Sequence, residues 1–164
     1  MEPRPRLQIK LSAADKIIEF ISLLLLLLLV AFTFYAYYNL PSTIPVHFNV
    51  SGKPDGFGSK STLFLLAGIS VIVYALLSVL NRFPHIFNYP VSITKLNAAK
   101  QYHNATQMIR VLKLSITVVF LITQLSIYMA VKGWATVLQP YLLPIILLVI
   151  LVPIIFYVVK SFKK

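Results

Sequence analysis

Four stretches of about 20 almost uninterrupted apolar residues constrain this chain: 17–38, 62–80, 111–131 and 140–159. At 1.5 Å per residue, each is long enough as an α-helix to cross the ~30 Å hydrocarbon core of a bilayer. The first contains the unbroken apolar run Leu23 to Val30, and charged residues stand at the edges of the others, at Arg82, Arg110, Lys132 and Lys160. Lipid offers the backbone no hydrogen-bond partners, so a crossing segment must bond within itself. The predicted fold class is therefore all-α: a polytopic membrane protein with four transmembrane helices in a single membrane domain over 1–164. Composition agrees, because 59% of residues are hydrophobic and only 12% charged, against an apolar share of about 45–50% in soluble domains. The first run is longer than a signal-peptide core, and Tyr35-Ala36-Tyr37-Tyr38 is no small-residue cleavage site.

The net charge of +11 would suggest nucleic acid in a soluble domain. Here the basic residues flank apolar runs, where they set topology, so no nucleic-acid partner is expected. The N-terminal tail, the loop region 81–113 and the C-terminal tail hold twelve of the fifteen Lys and Arg residues; the other side has Lys53, Lys60 and Lys132. The positive-inside rule places both termini in the cytoplasm and the loop 39–61 outside. Tyr35, Tyr37, Tyr38, Trp134 and Tyr141 mark the outer interface; Phe83, Phe87, Tyr89, Tyr157 and Phe162 mark the inner one.

The spans look chemically quiet. Glu19 is expected to pair with Lys16 three residues earlier, and Lys113 to snorkel to its helix end. So few intramembrane charges argue against an ion-coupled transporter. Gln124, with Thr117, Thr123 and Ser126 nearby, is read as an interhelical hydrogen-bonding residue, with a polar substrate path as the alternative. Pro153 is expected to kink the fourth helix. The absence of cysteine excludes disulfides, thiolate metal sites and a Cys nucleophile.

The outer loop 39–61 is longer than helix connections usually are, and loops of that length are often functional. Pro41 and Pro45 stop the first helix and impose extended backbone. Ile44, Val46, Phe48 and Val50 alternate with Pro45, His47, Asn49 and Ser51 in a strand-like pattern. Lys53-Pro54-Asp55-Gly56 fits a type I turn, Gly58 permits a further bend, and Ser59 or Ser61 caps the second helix. The expectation is an extended segment folded back by a tight turn. His47, Asn49 and Asp55 are the loop's metal-like or acid–base group, with Lys60 beside them. One imidazole and one carboxylate fall short of a metal ligand set, so no metal or cofactor is expected. Turn-capping, a peptide- or headgroup-binding surface, and a metal-dependent enzyme are the three readings left open.

The run Leu40-Pro41-x-x-Ile44-Pro45-x-His47-Phe48-Asn49-x-x-Gly52-x-Pro54-Asp55-Gly56-x-Gly58-Ser59-Lys60 resembles the signature of the bacterial membrane family called domain of unknown function 1648. A similar signature occurs near the N-terminus of SdpI, the sporulation-delay immunity protein. Asn88-Tyr89-Pro90, Ile93-Thr94-x-x-Asn97-Ala98 and Tyr102 also look like that family. The resemblance spans roughly residues 15 to 130. It implies a bacterial inner-membrane protein acting in signalling or toxin immunity.

From Thr94, a plausible N-cap, no Pro or Gly occurs before Gly133. Helix 3 is predicted to start near Lys95 and extend a solvated stem into the cytoplasm, over the loop 81–110. No nucleophile–base pair, phosphate loop or redox motif appears, so no catalytic residue is assigned. The leading reading is a non-catalytic binding, signalling or immunity-type protein acting through its outer loop. Its expected partners are the lipid bilayer, an extracytoplasmic peptide or envelope component, and a cytoplasmic regulator docked on the stem. A small oligomeric transporter or channel is the runner-up.

Overall fold

The computed structural model describes residues 4–134 and 139–162. Its elements run α1 (Ala13–Asn39), β1 (Thr43–Phe48), β2 (Pro54–Ser59), α2 (Thr62–Leu80), α3 (Ala98–Val131) and α4 (Leu142–Phe162), with short 3-10 turns at Pro84–Ile86 and Gln139–Tyr141. All four α-helices are long and apolar enough to cross a bilayer, as the sequence predicts.

α1 starts four residues before the apolar run because Ser12 and Asp15 form a capping box. The Ser12 hydroxyl accepts from Asp15 N (3.1 Å), and Asp15 Oδ2 accepts from Ser12 N (2.9 Å). This satisfies backbone donors that a helix start leaves without partners. Thr94 and Asn97 exchange a similar pair of bonds, and Ala98 N donates to Thr94 O. Thr94 therefore closes the turn that leads into α3. The 34 residues of α3 extend about 51 Å, longer than a crossing needs.

α3 is the central helix, packing against α1, α2 and α4. Its first turns are not the solvated stem of the sequence reading. Ala98, Gln101, Tyr102, Asn104, Ala105 and Thr106 are buried. The Nε2 of Gln101 donates to Ser161 O, and the Nδ2 of Asn104 donates to Tyr157 O and Ser161 Oγ. These bonds hold the last turn of α4, whose most apolar stretch buries nothing inside the protein. α4 runs unbroken through Pro153. Changing both Gln101 and Asn104 to Ala is expected to undock α4. A cysteine pair at 107 and 160, where the native side chains lie 3.5 Å apart on α3 and α4, reads this directly: its crosslinking should fall at least five-fold when Gln101 and Asn104 are both Ala.

An apolar cluster closes the opposite end, where the hairpin sits. Ala36, Leu40, Ile44, Leu63 and Ile127 are buried together, with Phe32, Phe48 and Tyr128 packed on them. Elsewhere Leu26, Leu29 and Ile109 are also buried, while many apolar side chains of the helices, Phe20, Leu27, Ile72 and Leu148 among them, are exposed, as lipid-facing surfaces require.

Candidate functional site

The loop 39–61 folds as an antiparallel hairpin of β1 and β2. Its turn lies at Asn49–Lys53, not at the Lys53-Pro54-Asp55-Gly56 turn expected from sequence. Two features fix it there. The Asn49 side chain accepts from Ser51 N and Lys53 N, a local bonding pattern that Asn favours. Gly52 has φ +73°, in the left-handed region that glycine enters without penalty. Pro54 then opens β2, a position that tolerates its missing N–H. Asn49 is thus a turn residue. Ser61 occupies the N-cap of α2 without a side-chain bond; the Thr62 hydroxyl instead donates to Ser59 O.

Register shifts fall between Pro45 and His47 and between His47 and Phe48. The extra residue, Val46, breaks the predicted alternation: Ile44 is fully buried, while Val46 and His47 are exposed. Bulges of this kind re-aim side chains. His47 Nδ1 meets Asp55 Oδ1 across the hairpin at 2.5 Å, and both side chains stay accessible, 71% and 41% exposed. Opposite His47 stands Gly56. A Cβ there would lie 2.9 Å from the His47 Cβ, so Gly56→Ala is expected to break this register and release the His47–Asp55 contact. Limited proteolysis of the loop should then proceed about ten-fold faster than in the native chain.

Lys60 is not part of that pair. Its Nζ donates to the carbonyl oxygens of Tyr37 (2.8 Å) and Leu40 (3.1 Å) and lies over the Tyr37 ring. It caps the carbonyl end of α1, where a cation is favoured. Pro41 stands in the crossing from α1 to β1, Pro45 is buried in β1, and Gly58 faces Val46, where a Cβ would approach to 3.2 Å. The hairpin and α3–α4 enclose a cleft of about 410 Å³. Val46, Phe48, Val50, Leu143 and Ile146 make it mainly apolar, and His47, Asn49, Thr123 and Ser126 supply polar groups.

Gln124 lies deeper and is fully buried. Its Oε1 accepts from the Thr33 hydroxyl (2.9 Å) and its Nε2 donates to Leu63 O (3.0 Å), joining α1, α2 and α3. This is the interhelical role expected of it.

The spans are not chemically quiet at the end that carries the termini. Lys113 is 2% exposed and does not snorkel. Its Nζ donates to Glu19 Oε2 and to Ser78 Oγ and sits 4.4 Å from the Tyr74 ring centre. Arg110 Nε lies 3.5 Å from Glu19, and its Nη1 lies 3.5 Å from the buried Asp15. Glu19 therefore pairs across the bundle with α3 rather than with Lys16. Charges on two hydrophobic helices could be found as a cluster from sequence only if the facing sides of the helices were known. Lys113 is 18 residues from the end of α3, about 27 Å along the axis. That is close to one hydrocarbon thickness from the hairpin end.

The N-terminal arm packs at the same end. Arg4 donates to Phe87 O (2.6 Å) and lies over the Tyr89 ring, which in turn packs on buried Tyr102. The Tyr89 hydroxyl donates to Pro84 O, and burial pushes its phenol well above the ordinary tyrosine range.

Residues 24–71 match the family described as Domain of unknown function (DUF1648). Over this segment the chain is similar to that family. That segment takes in most of α1, the whole hairpin and the first half of α2, so the matched unit is centred on the hairpin. An uncharacterised protein of Archaeoglobus fulgidus is 31% identical over 88 residues, 49% of this chain and 48% of the relative. The match thus spans about half the length of each protein. No solved structure matches the chain.

Proposed function

We propose that this protein is a non-catalytic binding or signalling protein, of immunity type, in a bacterial cytoplasmic membrane. Both termini face the cytoplasm, and the hairpin faces outward and binds an extracytoplasmic peptide. The observation that carries this reading is the contrast between the body and the hairpin. In the body, the deep polar groups Gln124, Lys113 and Glu19 are engaged in joining helices. On the hairpin, the His47–Asp55 pair is accessible beside an apolar cleft, and Val50 and Phe57 are exposed at 90% and 65%. Such a surface suits a peptide that brings an apolar side chain to the cleft and a cationic group to Asp55.

The test uses a photoreactive residue at Val50 in intact cells, with a second at lipid-facing Leu147 as control. One discrete adduct at Val50, absent at Leu147 and lost in both His47→Ala and Asp55→Ala, is the expected result. Membrane insertion should be unchanged in those variants. An adduct indifferent to both substitutions contradicts the proposal.

The transporter reading rests on Gln124, and both ends of that amide are spent on α1 and α2. Liposomes containing the purified protein are accordingly expected to show no solute flux that changes with Gln124→Leu.

A further inference from the structure

At the end that carries the termini, a cavity of about 580 Å³ opens between the N-terminal arm and α1, α2 and α3. Arg82, Arg110 and Lys113 line it, with Glu19 the one carboxylate among the lining residues and Asp15 beside Arg110, so that Arg82 is the cation in excess. Only Lys113 is closely paired with Glu19. Arg110 is 95% buried, and neither its Nε nor its Nη1 makes a hydrogen bond; the nearest carboxylate oxygens stand off at 3.5 Å. Arg82 is exposed and, among the described residues, has no ion pair. Two guanidinium nitrogens buried without hydrogen bonds are costly, and the planar donor fork of arginine matches phosphate oxygens. The arm that Arg4 pins in place lines the cavity with Leu7, Ile9 and Leu11, together with Gln8. The cavity therefore combines cations with apolar side chains. It also lies about one hydrocarbon thickness from the hairpin end, at the level of lipid headgroups.

We propose that this cavity seats a phosphate ester, with the phosphate against Arg82 and Arg110. The apolar side chains of the arm favour the headgroup of an anionic phospholipid as its source. A soluble phosphate would meet the same cations without using those side chains. The site is independent of whatever the hairpin binds.

Native mass spectrometry of the full chain in detergent micelles tests this, with dioleoyl phosphatidylglycerol, dioleoyl phosphatidylcholine and inorganic phosphate as probes. One phosphatidylglycerol is expected to be retained at least ten-fold more strongly than phosphatidylcholine. Arg82→Gln, at an exposed position, should lower that retention about five-fold or more. Lys160→Gln, on α4 away from the cavity, should leave it unchanged. Inorganic phosphate that binds alone, displaces the lipid and is lost in Arg82→Gln would assign the site to a soluble phosphate. Equal retention of the two lipids with no phosphate binding would overturn the proposal. So would an Arg82→Gln protein that behaves like the native chain, or a Lys160→Gln protein that loses as much.

Discussion

Glu19→Leu is expected to destabilise the protein by about 3–5 kcal/mol, the range found when one partner of a buried ion pair is removed. It leaves Arg110 facing Asp15 alone and Lys113, almost wholly buried, with no carboxylate beside it. The neighbours left to Lys113 are the Ser78 hydroxyl and the Tyr74 ring, and neither carries a compensating charge. Lys113→Met should cost less, about 2 kcal/mol, because Glu19 keeps Arg110 and is 30% exposed, where water screens it. The double variant Glu19→Leu with Lys113→Met restores the balance of Arg110 against Asp15. It should return to within about 1 kcal/mol of the native chain, since apolar replacement of a whole buried pair is often neutral. Unfolding by SDS titration in mixed micelles measures all three. If the single and double variants lose the same amount, the pair is not the linkage described here.

The second large effect is expected at Gln124. Gln124→Ala removes both bonds that tie α3 to α1 and α2 and leaves a void where the amide was. Interhelical hydrogen bonds in membranes contribute about 0.6 kcal/mol each and at most about 1.7, and the void adds to this. A loss of about 2 kcal/mol in the same titration is expected. Gln124→Leu keeps the volume and should lose about half as much. Thr33→Val should reproduce part of the Gln124 effect, and adding it to Gln124→Leu should cost little more, because the two side chains share one bond.

These two sites differ in how far sequence could reveal them. Gln124 stands out as an amide inside an apolar run, and that alone predicts a helix-joining role. Lys113 and Glu19 lie near the edges of their runs, where lipid-anchoring is the ordinary reading of a charge. Their pairing depends on the rotation of α1 against α3, which an apolar pattern without a polar stripe leaves undetermined. The four helices were legible because the membrane imposes a length and a composition on each. The hairpin was legible in part. Its prolines and apolar alternation marked an extended, folded-back loop. The turn lies four residues before the one that Pro54-Asp55-Gly56 signals, because Asn49 and Gly52 together supply a better one. The site residues divide the same way: His47 and Asp55 do come together, while Asn49 and Lys60 go to the turn and the α1 cap.

In the proposed orientation the hairpin lies outside the cell and the Lys113–Glu19 cluster near the cytoplasmic face. The chain has no cysteine, so a single introduced one is unique. Ser51, in the hairpin turn, and Ser92, in the loop before α3, are both exposed. A membrane-impermeant maleimide applied to intact spheroplasts should label Ser51→Cys, and should label Ser92→Cys only after the membrane is opened. Labelling of Ser92→Cys from outside, with Ser51→Cys protected, would contradict the account.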